Sequence, residues 1–366
     1  MTDRAPAIAR LGWNAHWDSL FAPHTRAGWL PGRVAVEDKH HYQIYAEVGT
    51  WTGKVTGKFR SQARTQADFP KVGDWVAFEP QAGEERARIH AVLPRATQLA
   101  RKRKGRETIA QVLVTNVDLA FIVHGLDREL NVRLIERFLV MTREGGVQPV
   151  VLFNKTDLDA QSARKVAQLR QAIGTVPVLT TCALTGRGFD QLEPLLRPGR
   201  TVVFMGASGV GKSSLINRLY GEEIQATTDV REGDAKGRHT TTWREMILLP
   251  GGGLVIDTPG MREFHMWLSG EGIHEAFPEI ESLALRCHFR DCSHTREQRC
   301  AVQEAVRAGE LSEGRYQSFL KLQRELEFLE NAHRHQERQA QRRHALVLRR
   351  RLSARQRQAR DGALGS

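Results

Sequence analysis

Gly206-Ala207-Ser208-Gly209-Val210-Gly211-Lys212-Ser213 decides how the rest of this sequence is read. Its spacing turns successive backbone N–H groups inward around a phosphate chain, and a helix starting at Lys212 points its positive end at the same place. Lys212 then reaches the β- and γ-phosphates, Ser213 supplies a hydroxyl to Mg²⁺, and Ser214 continues the first turn. The apolar run Thr201-Val202-Val203-Phe204-Met205 reads as a buried strand and Ser214 to Leu219 as a helix, the strand–loop–helix context this loop requires. The element implies an α/β unit that binds a nucleoside triphosphate.

Further stretches indicate which nucleotide, and how the unit is wired. Asn154-Lys155-Thr156-Asp157 follows the apolar run Val147 to Phe153, at the carboxyl end of a buried strand, where open α/β sheets meet their ligands. Asp157 can accept two hydrogen bonds from guanine N1 and N2. Adenine offers no such pair, so a site built on that acceptor rejects ATP. Thr181-Cys182-Ala183-Leu184-Thr185-Gly186 resembles the loop that supports the base, with the Ala183 N–H facing the guanine oxygen and Cys182 where a serine is usual. Asp257-Thr258-Pro259-Gly260 ends a strand from Gly253 to Ile256; Asp257 would hold Mg²⁺ through water and Gly260 would offer its N–H to the γ-phosphate. In an ordinary GTPase the base-reading motif comes last. Here it precedes the phosphate loop, and the chain resembles a circularly permuted GTPase. A first strand at Val117 to Val123 and helical spacing at Asn131 to Glu144, Ala160 to Ile173 and Phe189 to Leu196 complete a doubly wound sheet.

Gly237-Arg238-His239-Thr240-Thr241-Thr242 is polar, flanked by glycine and without apolar period, as expected of a switch that closes on Mg²⁺. Thr241 is the expected ligand, with Thr240 the alternative. Met261 follows the Asp257 motif where many GTPases keep a glutamine to orient the attacking water, and a methionine cannot do this. His239 carries a donor and an acceptor near neutral pH and is the candidate replacement; equally, it could only pack or contact a partner. Lys212, Thr241 and His239 thus form the expected catalytic set, with slow intrinsic turnover and an accelerating partner.

Cys287, Cys292, His294 and Cys300 follow the pattern C-x4-C-x-H-x5-C. Three thiolates and one imidazole make a closed tetrahedral zinc set with no open position for catalysis, so one structural Zn²⁺ is expected. His288 is a spare imidazole, excluded because adjacent ligands from one loop bend the chain awkwardly, and Cys182 lies too far along the chain. With four cysteines in 366 residues, three of them here, a disulfide framework is not expected. Helical spacing follows at Val302 to Ala308 and at Tyr316 to Leu329, where Tyr316, Phe319, Leu322, Leu326 and Leu329 share an apolar side.

Toward the amino end, Gly32 to Glu37, Tyr42 to Val48, Thr52 to Phe59, Gly73 to Glu79 and Arg86 to Leu93 read as five short strands of an oligonucleotide-binding barrel. Lys54, Lys58, Arg60 and Arg64, interleaved with Trp51 and Phe59, could take RNA backbone and stack bases; the alternative is that Trp51, Phe59 and Trp75 fill the barrel. Arg101-Lys102-Arg103-Lys104-Gly105-Arg106 reads as a hinge or a phosphate contact. Trp13 and Trp17 have no assigned role. Residues 331–366 hold ten arginines, no lysine and only Glu337 and Asp361, a surplus of +8 within a net charge of +12. This reads as an RNA-binding arm or a solvated tail, and the overall balance favours a polyanionic partner. No apolar run has the ~18 residues of a membrane span, and Met1 to Arg10 lacks a secretory core, so a cytoplasmic protein without a membrane partner is expected.

The expected fold is a multidomain α/β chain. Residues 1–30 are an extension, 31–100 an OB-like barrel, 101–280 a circularly permuted P-loop GTPase, 281–330 a helical zinc-binding unit and 331–366 the arginine-rich tail. The permuted order, the Gly237 to Thr242 switch and the cysteine segment resemble the small-subunit-dependent ribosomal GTPases called the RsgA or YjeQ family, from about residue 30 to about residue 330. The resemblance implies GTP hydrolysis stimulated by the small ribosomal subunit, rRNA binding, a role in late maturation near the decoding region, and the same four zinc ligands. No oligomeric interface is evident and a monomer is expected. The alternatives are a GTP-gated RNA-binding module and a GTPase for another RNA, with hydrolysis incidental.

Overall fold

The computed structural model describes residues 8–102, 110–158, 162–224, 244–257, 273–327 and Asn331, apart from Arg26, Lys39, Ala82, Glu84 and Glu275. Its centre is a sheet whose strands are β8 (Leu119–Gly125), β9 (Gln148–Asn154), β10 (Val178–Thr180), β11 (Thr201–Met205), β12 (Glu245–Leu248) and β13 (Leu254–Asp257). The spatial order is β10-β9-β8-β11-β13-β12, all parallel except β12. Alternation along each strand sends side chains to two cores. Ala120, Ile122, Val151, Phe153, Val203 and Met205 face the helices α3 (Val132–Glu144) and α4 (Ser162–Ile173). Phe121, Val123, Leu152, Val202 and Phe204 face α5 (Lys212–Tyr220), where Phe121 and Phe204 stack at 5.0 Å. Burial of each such Val, Leu, Ile, Phe or Met side chain contributes about 1.5–3 kcal/mol, so strands apolar on both faces anchor the unit.

Five strands form the barrel: β1 (Leu30–Asp38), β2 (His41–Ala46), β3 (Gly49–Val55), β4 (Trp75–Pro80) and β5 (Arg86–Val92). The β1–β4 pairing closes it, and β3 and β5 run parallel. Inward positions alternate through Tyr42 and Ile44 onto Val55, Val76, Phe78 and Ile89. The strand expected from Thr52 to Phe59 stops at Val55. Thr56 accepts from the Phe59 N–H at 3.2 Å and caps α2 (Gly57–Gln62), so a local hydroxyl cap overrides the strand-like composition.

Trp75 does not fill the barrel. It is buried under the amino-terminal helix α1 (Ala15–Thr25), edge-on to Trp13 at 4.8 Å and 6.0 Å from Trp17, which gives both tryptophans a packing role. Beside it the fully buried Arg33 donates to Leu11 O, to Gly73 O at 3.3 Å and to Asn116 O at 2.8 Å. Burial pulls its pKa down to about 10, while Asp118 and Asp74 oppose the shift. One guanidinium therefore ties the amino-terminal turn, the barrel and the strand entering the central sheet.

The basic run is partly structured. Arg101 and Lys102 end β6 (Gln98–Lys102), which forms an antiparallel hairpin with β7 (Ala110–Thr115), and Arg103 to Arg106 lie outside the described residues. The helix expected from Phe189 to Leu196 is two 3₁₀ turns, Phe189–Gln191 and Glu193–Leu195, because Pro194 lacks the N–H an α-helix needs. The barrel and the central sheet are also joined: Val36 of β1 pairs with Glu245 of β12, giving one eleven-stranded sheet.

The carboxyl-terminal elements are α6 (Pro278–Ala284), α7 (Ala301–Arg307) and helical turns over 313–327. Tyr316, Phe319 and Leu322 are buried and Leu326 packs against the same core, as their spacing predicts; Leu329 and residues 332–366 lie outside the described residues. These helices dock on α3 through the buried Glu136, whose oxygens take Arg315 Nη1 at 2.7 Å and Ser318 Oγ. Arg315 also donates to Glu279 at 2.5 Å and Ala276 O at 2.6 Å, and lies 4.0 Å over Phe277. Among the described residues no helix is long and apolar enough to cross a membrane.

Candidate nucleotide site and metal centre

The parallel strands all end at one edge, and the expected nucleotide-binding segments meet there. β8 pairs with β9 up to Gly125 opposite Asn154, β11 lies beside β8, and β13 ends at Asp257 beside β11. The phosphate loop leaves β11 and its α5 opens at Lys212, so Ser213 and Ser214 stand in the first turn, where unpaired N–H groups favour an anion. Gly206 and Gly211 take φ of 145° and 92°. A Cβ at Gly206 would meet Val123 O, and one at Gly211 would meet Asn154 Nδ2, so both positions require glycine. Lys212 Nζ folds over the loop onto Gly206 O at 2.9 Å and Ala207 O at 2.8 Å.

Asn154 is 1% exposed and joins two loops: Nδ2 donates to Val210 O at 3.0 Å, and Oδ1 accepts from the Ala183 N–H at 3.1 Å. The Ala183 N–H, expected toward guanine, is thus directed at Asn154. Lys155 adopts φ 63°, a left-handed conformation that costs a non-glycine residue about 1–2 kcal/mol. Its Nζ pairs with Asp127 at 2.7 Å. Asp157 is exposed and takes the Cys182 thiol at 3.0 Å, while the Thr185 N–H donates to the same sulfur at 3.4 Å. Cys182 therefore braces the carboxylate from the serine position. His239, Thr240, Thr241, Gly260 and Met261 lie outside the described residues.

Sequence reasoning missed Asp127 and Arg128, on the loop between β8 and α3. Burial pushes the Asp127 carboxyl up, but hydrogen bonds from Lys155 and Arg128 outweigh it and hold the group below the usual carboxylate range. Arg128 donates to Ser208 O at 3.2 Å. Their position just beyond the buried apolar run Leu119 to Val123 of a central strand was the available signal. Arg218 of α5 was also missed; it donates to Ala183 O and Leu184 O at 3.3 and 3.1 Å and steadies the base loop.

The four expected metal ligands converge. One donor atom from each of Cys287, Cys292, His294 and Cys300 lies within 4.8 Å of every other. Cys287 Sγ and Cys300 Sγ are 3.9 Å apart, with His294 Nδ1 at 3.6 and 3.5 Å from them. A tetrahedral ion with metal–sulfur bonds of about 2.3 Å separates its sulfurs by about 3.8 Å, so the donors fit one ion. Burial pushes the Cys292 thiol up to about 12, opposed by the His294 N–H and helped by the Cys300 and Cys287 thiols. Tyr316 OH and Gln303 Nε2 donate to His294 O at 2.6 and 3.0 Å and fix the imidazole's backbone. His288 is exposed and outside the cluster.

Comparison with known proteins gives a consistent set of relatives. The family model described as RsgA GTPase matches residues 92–267. The small ribosomal subunit biogenesis GTPase RsgA of Opitutus terrae is 44% identical over 327 residues, covering 87% of this chain and 89% of that protein. The protein of the same description from Syntrophotalea carbinolica is 42% identical, with the same coverage of both chains. Among solved structures, YjeQ from Thermotoga maritima superposes with a TM-score of 0.61 at 29% identity, over 81% of this chain and 98% of its own. YloQ, described as a circularly permuted GTPase, gives 0.59 at 26%, over 82% and 95%.

Proposed function

The chain belongs to the RsgA GTPase family, and from that premise we propose that it hydrolyses GTP when stimulated by the small ribosomal subunit, during late maturation of that subunit. The observation that carries the reading is the meeting of three loops at one sheet edge, with Asn154 tied to both Val210 and Ala183. Asp157, braced by Cys182, selects guanine, with Asn154, Lys155 and Ala183 around the base. Gly206 to Ser214 cradle the phosphates, Lys212 neutralises them and Gly260 donates to the γ-phosphate. Ser213, Thr241 and Asp257 would hold Mg²⁺, which when bound offsets charge on the phosphate oxygens. His239 orients the attacking water or contacts the subunit.

The cysteine cluster would hold one structural Zn²⁺, whose binding would be part of the folding free energy of residues 281–330. RNA contact is assigned to the barrel, where Lys54, Arg86 and Arg88 line a groove of about 620 Å³ beside His41 and Thr52, and to the arginine-rich tail. The five-part division stated from the sequence is retained, with the chain acting as a monomer in the cytoplasm.

The test is GTP hydrolysis by the purified chain alone, with small subunits and with large subunits, at fixed magnesium and salt. Stimulation by small subunits alone is expected. Equal slow rates in all three would replace the reading with a GTP-gated RNA binder.

A further inference from the structure

We propose that Arg128 is an arginine supplied in cis to the phosphoryl group transferred at this site, an inference that rests on the GTPase reading above. Its loop leaves the carboxyl end of β8 and lies against the exposed crown of the phosphate loop. Nη1 donates to Ser208 O at 3.2 Å, and Nη2 lies 3.4 Å from where a Cβ on Gly209 would stand. The loop is held on both flanks. Lys165 Nζ grips Leu126 O at 3.2 Å and Arg128 O at 2.9 Å, and Asp127 joins Lys155 at 2.7 Å and Arg128 Nε at 3.4 Å.

A guanidinium has five donors in a fixed fork. Nη2 has no hydrogen-bond partner among the described residues, and the side chain is 38% exposed. A positive, partly uncommitted group is therefore anchored on the loop that cradles phosphates. In hydrolysis the water oxygen bonds to the γ-phosphorus while the bond to the β–γ bridging oxygen breaks. The electron pair stays on GDP, and the water proton ends on the released phosphate. Negative charge grows on the bridging oxygen and the β-phosphate, and an arginine beside Ser208 and Gly209 can meet it without reorganising the loop. Met261 makes such a group valuable, since a thioether side chain cannot orient the attacking water.

A loop clamp would use the same bond to Ser208 O, so the test must separate the two roles. Full-length wild type, Arg128→Ala and Arg128→Lys are compared for GTP turnover with and without small subunits, GDP affinity, and trapping of GDP with aluminium fluoride. The expected result is a kcat lowered roughly 100-fold or more in Arg128→Ala. GDP affinity should stay within about threefold, trapping should be lost, and Arg128→Lys should recover only a minor part of the rate. Trapping equal to wild type, or GTP and GDP affinities falling together with kcat intact, overturns the proposal. Because trapping is read without turnover, a wild type that ignores small subunits would count against the ribosomal reading while Arg128 is still decided.

Discussion

At the candidate nucleotide site three polar side chains are committed to protein partners: Asn154 spans two loops, Lys212 lies on two carbonyls and Lys155 pairs with Asp127. Around Cys287 three thiols and an imidazole crowd within 4.8 Å of one another, with no cationic side chain among the four. The loops of the first site are positioned by the sheet edge from which they leave. The second is a donor set whose geometry one tetrahedral ion would fit. The two regions therefore differ in what would hold them together: strand pairing in one, shared ligation in the other.

Removing the metal should show this most sharply. Chelation, or Cys300→Ser, should release one zinc per chain and melt residues 278–327, at a cost of about 10 kcal/mol to that unit. GDP binding, followed by calorimetry, should persist; if it vanishes as well, the two sites are one cooperative unit and the contrast is broken. The converse change is Asp157→Asn. It should lower guanine nucleotide affinity about 1,000-fold by removing the charged acceptor, with thermal stability unchanged. A collapsed melting temperature would mean that the nucleotide site, too, supports the fold.

Glu136→Ala tests the tie between the regions. It leaves Arg315 without its buried partner and should destabilise by about 3–5 kcal/mol in urea unfolding, with zinc retained in the folded fraction. Thr56→Ala removes only a helix cap in the barrel and should cost about 1 kcal/mol. That small, local value calibrates the others. A larger one would show the barrel to be less independent of the central sheet than its own core suggests.

What could be read in advance was whatever a short stretch of chain determines by itself. The phosphate loop works through consecutive backbone N–H groups, and the ligand set through spacing within fourteen residues, so both were visible. The expected barrel strands were recovered to within a few residues because alternation survives in β2 and β5. Arg33, Glu136 and Arg128 were not visible, because each acquires its partners only when distant segments meet. A buried arginine bonded to three carbonyls leaves no periodic trace. Thr56 did leave one: a threonine before glycine is a cap signal, and it lost to the strand-like residues around it.

The pairing of Val36 with Glu245 bears on how the chain folds as it is made. Strand β8 emerges long before β11, its neighbour on the side away from β9, and β1 is complete long before β12 exists. A ribosome would therefore release an amino-terminal half with an apolar sheet edge exposed, waiting for residues 201–257 to close it. In this order the half-sheet β8 to β10, which carries the base-reading loops, is complete before the phosphate-loop strand that joins it to β13 and β12 is made.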